Sequence, residues 1–409
     1  MDRRQKLVNK ITITLTILFI SRIGIFIPIT GINQAELAES IGKNTIINFL
    51  NVFSGGGFST IGIFSLGIIP YINSSIITQL LVKILPNLEE IQKNEGELGK
   101  QKITQITRYL TIVWAIIQSI SVSFLIKPYT FNWNVSFLVD LVIALTTGSV
   151  IIMWFSEIIT EYGIGNGASL IIFQNIVSNI PKSLKLYEMN IEKNLMIIIL
   201  LLSSCIGILI INIMIQDSKR KISIISSKQI GQKEKLNTQN YIPLKINQGG
   251  VMPIVFASAA ITIPQYALLK TSNPNITRLL NTLISNNFCY LTLYSIFIII
   301  FSYFYSSIIL NTKDIAENLQ KMSASIPNVR PGEETIKYLN KIINKLTFIG
   351  SIFLFIIAQF PLIIFKVTQI NLLQGLGTTS LLILVGVAID TAKQVQTYII
   401  SEQYDNIME

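Results

Sequence analysis

Phe53-Ser54-Gly55-Gly56-Gly57-Phe58-Ser59-Thr60-Ile61-Gly62-Ile63-Phe64-Ser65-Leu66-Gly67-Ile68-Ile69-Pro70-Tyr71-Ile72 changes character twice. Residues 53–60 are too polar and glycine-rich to lie against lipid as a helix. Ile61 to Leu66 is apolar again, and Pro70 then opens a clean apolar run. Non-helical backbone is tolerated at membrane depth only where protein or a water-filled cavity surrounds it. The stretch is therefore expected to dip part-way into the protein and return. An external loop is the competing reading, and Ile61-Gly62-Ile63-Phe64 argues against it.

That reading depends on the flanks being membrane-spanning. About twenty apolar residues cross the hydrocarbon core as a helix. Runs of that kind recur near 11–29, 68–86, 104–125, 135–159, 167–184, 195–215, 249–268, 288–310, 346–366 and 375–394. Only 13% of the residues are charged, half are apolar and the mean hydropathy is +0.57. A soluble domain carries about 25% charged residues, and runs packed this densely leave no room for one. The net charge of +10 does not indicate nucleic-acid binding, because the basic residues lie between apolar runs rather than on one face. The N-terminus (Arg3, Arg4, Lys6, Lys10) and the segments 87–103, 216–247 and 311–345 together hold 20 of the 32 Lys and Arg. Excess positive charge marks the cytoplasmic side, so both termini are expected there.

The segments 216–247 and 311–345 run to 32 and 35 residues, long for connections in a compact protein. Both are basic, and a solvated, positive anchor is their plain reading. Asn328-Val329-Arg330-Pro331-Gly332 implies a defined turn that presents Arg330 outward. A second break, Gly163-Ile164-Gly165-Asn166-Gly167, reads as a tight turn between antiparallel spans. As a phosphate cradle it lacks a preceding strand and a following Lys-Ser/Thr.

Catalytic chemistry has little to work with. The chain contains no histidine, which removes the commonest general base and metal ligand. Its two cysteines, Cys205 and Cys289, sit in apolar runs with no metal-ligand spacing. Neither a metal nor any other cofactor is expected. Ionisable residues within the runs are Arg22, Asp140, Glu157 and Asp390. Arg22 and Asp140 are the deeper pair by count, and each needs a partner or water. No cleavable leader is expected, because the first apolar run is too long and lacks a small-residue cleavage site.

Taken together the motifs resemble the SecY/SEC61-alpha family, the channel-forming subunit of the Sec protein translocase, over nearly the whole chain. In family order they are Arg22-Ile23-Gly24 with Phe26-Ile27-Pro28, Asn51-Val52-Phe53-Ser54-Gly55-Gly56 and Gly67-Ile68-Ile69-Pro70-Tyr71-Ile72. Arg108-Tyr109 and Ile159-Thr160-Glu161-Tyr162-Gly163-Ile164-Gly165-Asn166-Gly167 follow, then Ile242-Pro243-Leu244-Lys245-Ile246-Asn247 and Gly250-Val251-Met252-Pro253-Ile254-Val255-Phe256-Ala257-Ser258. Asp314-Ile315-Ala316-Glu317-Asn318-Leu319, Val329-Arg330-Pro331-Gly332 and Thr379-Ser380-Leu381-Leu382-Ile383 complete the set.

The resemblance implies an all-α membrane protein of ten transmembrane helices, in two pseudo-symmetric five-helix halves around a central pore, with a short plug helix. The halves would be 1–184 and 185–394, followed by a short tail at 395–409. It implies a pore ring of Ile68, Ile72, Ala168, Ile172, Val255 and Ile383, with Ala168 smaller than the aliphatic usual there. It also implies a plug near 55–66, with Gly55, Gly56, Gly57, Ile61 and Phe64, and a lateral gate near Asn73, Gln79 and Thr107. Arg330, Lys219, Arg220 and Lys221 would dock the motor SecA or a ribosome. Asn328-Val329 stands where the family more often has Gly-Ile, and Lys219-Arg220-Lys221-Ile222-Ser223 where it is more Arg-rich. Small SecE and SecG-like subunits, unfolded polypeptides and membrane lipid are the other implied partners.

No Walker motif is present, so energy would come from a partner or the membrane potential. A secondary transporter with inverted repeats is one alternative, though no coordinating constellation marks its breaks. An insertase or scaffold without a pore is the other. The heavy use of Ile, Asn and Lys points to an A/T-rich genome. A plastid thylakoid membrane is then the expected location, with a bacterial plasma membrane as the alternative.

Overall fold

The computed structural model describes residues 3–41, 55–57, 61–94, 96–185, 203, 206–207, 209–226, 240–250, 252–254, 256–257, 260, 287–368 and 380–408. Helices dominate them. The principal ones are Arg3–Ile25, Ile69–Ile84, Gly96–Ile126, Val135–Tyr162, Gly167–Lys185, Asn287–Ile309, Glu333–Thr368 and Ser380–Met408. Shorter helices cover Gln34–Ile41, Pro86–Asn94 and Thr312–Lys321. Among the described residues five helices are long and apolar enough to cross a membrane. The expected spans at 195–215 and 249–268 lie largely outside the described residues.

Several helices outrun their apolar windows. Glu333–Thr368 starts well before 346, Gly96–Ile126 before 104, and Ser380–Met408 continues past 394. Hydropathy records only the part that must leave water, whereas a helix persists wherever one face is packed. Leu339, Ile342, Ile343 and Leu346 provide that face ahead of the apolar run, at spacings of three and four. The 311–345 and 87–103 segments, read from sequence as loops, are therefore substantially helical.

Helix contacts inside the bundle use small residues. Ala115, Ser119 and Ser123 are buried along Gly96–Ile126, and Gly148 and Ser149 are buried along Val135–Tyr162, where they face the 63–67 segment. Small side chains let backbones approach without a hydrophobic driving force from lipid. Their hydroxyls are satisfied locally: Ser119 Oγ donates to Ala115 O at 2.6 Å, and Ser123 Oγ to Ser119 O at 2.7 Å. Ser119 and Thr146 also share a 3.1 Å hydrogen bond between the helices.

Two compact units emerge from the contacts, 1–190 with 371–409, and 191–370. The expected halves divide the chain by repeat instead, which assigns the closing helix to the second half. By contact that helix lies against Gly167–Lys185 and Arg3–Ile25.

In the second unit, strands β1 (Lys219–Ser223) and β3 (Tyr241–Lys245) pair antiparallel, with Ile222 opposite Ile242. Strands β2 (Ile225–Ser226) and β4 (Ala324–Ser325) pair as well.

Candidate functional site

The segment that enters the first unit is held by backbone. Ile29 N donates to Ile61 O and Ile63 N to Ile27 O, both at 3.0 Å, and Pro28 bridges Gly62. Ser65 Oγ donates to the Gly57 and Gly62 carbonyls at 2.8 and 2.6 Å. These bonds satisfy non-helical backbone groups that lipid could not.

Ile61 and Ser65 are completely buried, and Phe64 nearly so. Ile61 packs with Leu66, Val122, Ile126, Leu141 and Leu145. Phe64 meets Phe155 edge-on, with ring centroids 6.4 Å apart, and lies against Gly24. An exposed external loop does not fit this burial.

Three glycines permit the fit. A Cβ at Gly24 would occupy the Phe64 ring, one at Gly148 the Ile63 carbonyl, and one at Gly62 the Ile25 carbonyl. The obstacle at Gly62 is backbone and has nowhere to move. Gly62→Ala is expected to destabilise the protein by about 1–3 kcal/mol, seen as a lower melting temperature of the purified chain. A melting temperature equal to the parent's would count against this packing.

The expected ring positions begin their helices. Ile68 precedes the first turn of Ile69–Ile84 and Ile72 follows one turn later, with Pro70 in the first turn. Ala168 and Ile172 have the same one-turn spacing at the start of Gly167–Lys185, and Ile383 lies in the first turn of Ser380–Met408. Ile68, Ile72, Ile172 and Ile383 are buried, and Ala168 is half-buried. Val255 lies outside the described residues.

The turn before Ala168 is tied down from three sides. Asn166 Oδ1 accepts from Ala168 N at 3.1 Å, Thr14 Oγ1 from Ile164 N at 3.1 Å, and Gln394 Oε1 from Gly165 N at 2.7 Å. Gly165 has φ +87°, which its residue type permits.

At the expected gate, Thr107 and Gln79 bond along their own helices. Thr107 is buried and donates to Ile103 O at 3.0 Å, and Gln79 is exposed with Ser75 Oγ at 3.5 Å. Asn73 is half-buried. A threonine hydroxyl readily reaches its own i−4 carbonyl.

Sequence reasoning left Arg108 and Glu157 separate, and the structure joins them. Arg108 Nη2 lies 2.8 Å from Glu157 Oε2, and Arg108 Nε donates to Oε1 at 3.0 Å. This two-pronged geometry suits a guanidinium and a carboxylate. Asp140, by contrast, is exposed.

The two long basic segments share one base in the second unit. Ile222, Leu244, Leu319, Ile326, Leu339, Ile342, Ile343 and Leu346 form a common apolar core. Above it, Lys219, Arg220 and Lys221 are exposed, and Lys221 Nζ lies over the Tyr241 ring at 4.8 Å. Arg330 is exposed on a turn whose backbone is pinned. Thr335 Oγ1 donates to Arg330 O at 2.9 Å, and Arg330 N donates to Glu334 Oε2 at 3.3 Å. Asn328 has φ +62°. After glycine, asparagine is among the residues that best tolerate this conformation, so Asn328 keeps the turn.

A family model described as SecY matches residues 62–392. The protein translocase subunit SecY of Porphyra purpurea is 56% identical over 414 residues, covering all of both chains. The chain belongs to the SecY family. Among solved structures, a protein-conducting channel aligns with a TM-score of 0.65 at 19% identity, covering 97% of this chain and 93% of that one. Sec61 in a canine ribosome–channel complex from the endoplasmic reticulum aligns at 0.61, with 19% identity and coverage of 97% and 93%. The fold is thus that of the SecY and Sec61 channels, and the chain is a multi-pass membrane protein.

Proposed function

We propose that this chain is the central, channel-forming subunit of a Sec translocase. It would conduct unfolded polypeptides across a membrane and release apolar segments sideways into lipid. The observation that carries the reading is the 61–68 segment, a non-helical element buried inside a bundle of membrane helices in a SecY-family chain. Ile68, Ile72, Ala168, Ile172, Val255 and Ile383 form the ring, and the buried segment is its stopper. Flexible apolar side chains can exclude water and ions and still yield around an extended chain of any sequence. Asn73, Gln79 and Thr107 mark the seam that parts toward lipid.

The chain acts as a passive conduit, and a partner motor, a ribosome or the membrane potential supplies the energy. The exposed basic groups Lys219, Arg220, Lys221 and Arg330 support docking of a SecA-type motor or a ribosome on the cytoplasmic or stromal face, where both termini lie. SecE and SecG-like subunits complete the complex. The relative from Porphyra purpurea supports a plastid thylakoid location.

The test is reconstitution with the small subunits and a motor, followed by measurement of protease-protected substrate. Motor-dependent protection of an unfolded secretory chain is expected. Uptake of a small solute without protection of polypeptide would favour the transporter alternative and reject the proposal.

A further inference from the structure

The buried segment has a stitched root and a tip held from two sides, with Gly57 O accepting from Ser65 Oγ of the root at 2.8 Å and Gly55 facing a neighbouring helix. From Ile61 to Ile63 the chain is fastened by the backbone bonds to residues 27–29, and local bonds from Ser65 N to Gly62 O and Gly67 N to Phe64 O continue the turn. At the tip, Gly55 and Gly56 have φ +69° and +89°. Consecutive left-handed residues break any helical ladder, so the Gly55 carbonyl needs a donor from elsewhere. Arg22 is that donor, with Nη1 at 2.7 Å from Gly55 O.

We propose that Arg22 is the clasp that keeps the Gly55–Gly57 tip seated, a positioning residue for the resting closure of the channel. The inference rests on the stopper reading above. Arg22 sits in a membrane-spanning helix, where a cation needs a partner as much as a bent backbone needs a donor. Each need answers the other. The guanidinium lies 4.9 Å from the centroid of the Phe26 ring, which aims it.

A second helix closes the other side of the tip. A Cβ on Gly55 would fall 2.7 Å from Asn175 Oδ1 and 2.8 Å from Arg22 Nη1. Asn175 is buried and follows Ile172 by three residues, on one face of the same helix. The tip thus sits between a cation on one helix and the helix that carries two ring positions.

Those two helices are joined independently of the clasp. Gln174 Nε2 donates to Leu18 O at 2.7 Å, and Ser21 Oγ donates to Gln174 Oε1 at 3.0 Å. Removing the guanidinium should free the tip and leave the helices docked.

The experiment measures ion leak through resting, reconstituted channels in the parent and in a variant lacking 57–65. Arg22→Gln is placed in both, and melting temperature is recorded as the control for folding. In the parent, Arg22→Gln should raise leak severalfold, Arg22→Lys should raise it less, and Gly55→Ala should mimic Arg22→Gln. In the variant lacking 57–65, Arg22→Gln should add nothing, because the clasp no longer has a stopper to hold. A leaky deletion beside a silent Arg22→Gln overturns the clasp alone. Additive leak in the deletion background overturns it too, since Arg22 would then act elsewhere. A silent deletion overturns the stopper reading and the clasp with it.

Discussion

Arg330→Glu is expected to reduce motor- or ribosome-driven transport by about a hundredfold or more, with fold and membrane insertion intact. The backbone around Arg330 is fixed by Thr335, Glu334 and the left-handed Asn328, so the replacement side chain leaves from the same place. Its guanidinium is exposed, and the helix that follows is anchored through Leu339 and Ile342 on its buried face. Charge reversal removes a charge-assisted contact and turns a carboxylate toward the acidic or carbonyl surface that the guanidinium would meet on a docking partner. Like-charge juxtaposition across an interface costs several kcal/mol, and each 1.4 kcal/mol is about tenfold in affinity. The measurements are protease-protected substrate per unit time and the melting temperature. Transport at the parent rate would reject Arg330 as a docking contact.

Deleting 57–65 is expected to raise ion leak in resting vesicles severalfold while the chain still assembles with its small partner. The deletion removes Ile61 and Phe64 from the apolar packing against Leu66, Leu141, Leu145 and Phe155. It leaves Ile68 and Ile72 in their helix. A ring alone blocks ions only while it stays dry, so losing the element beneath it exposes every transient wetting. An unchanged leak would reject the stopper assignment.

The element behind that prediction was legible from sequence because two local signals conflict there. Gly55-Gly56-Gly57 forbids a lipid-facing helix, Ile61-Gly62-Ile63-Phe64 forbids a solvated loop, and only burial in protein satisfies both. Helix positions followed from apolar runs for the same reason. Helix ends did not, since Leu339 and Ile343 lengthen a helix by packing that no hydropathy window registers.

Long-range polar pairs were also illegible. Arg22 with Gly55 and Arg108 with Glu157 are joined by tertiary approach, and neither spacing has a local period. The pairing of Lys219–Ser223 with Tyr241–Lys245 was hidden differently. Lys219-Arg220-Lys221-Ile222-Ser223 holds a single apolar residue, too few to reveal an alternation. Asn328 read as a departure from the family pattern until its φ showed that the backbone requirement had been kept.

The β1–β3 register also bears on how chains of this kind can diverge. Ile222 and Leu244 are buried in the shared core while Lys219 and Lys221 lie on the opposite, exposed face. Side chains along a strand alternate faces, so gaining or losing one residue inside either arm would turn Ile222 or Leu244 to water and swing lysines into apolar packing. Changes of length between 227 and 239 leave that parity untouched. Descendant lineages are therefore free to vary the stretch between the arms in size and charge, while the arms themselves drift only by substitution.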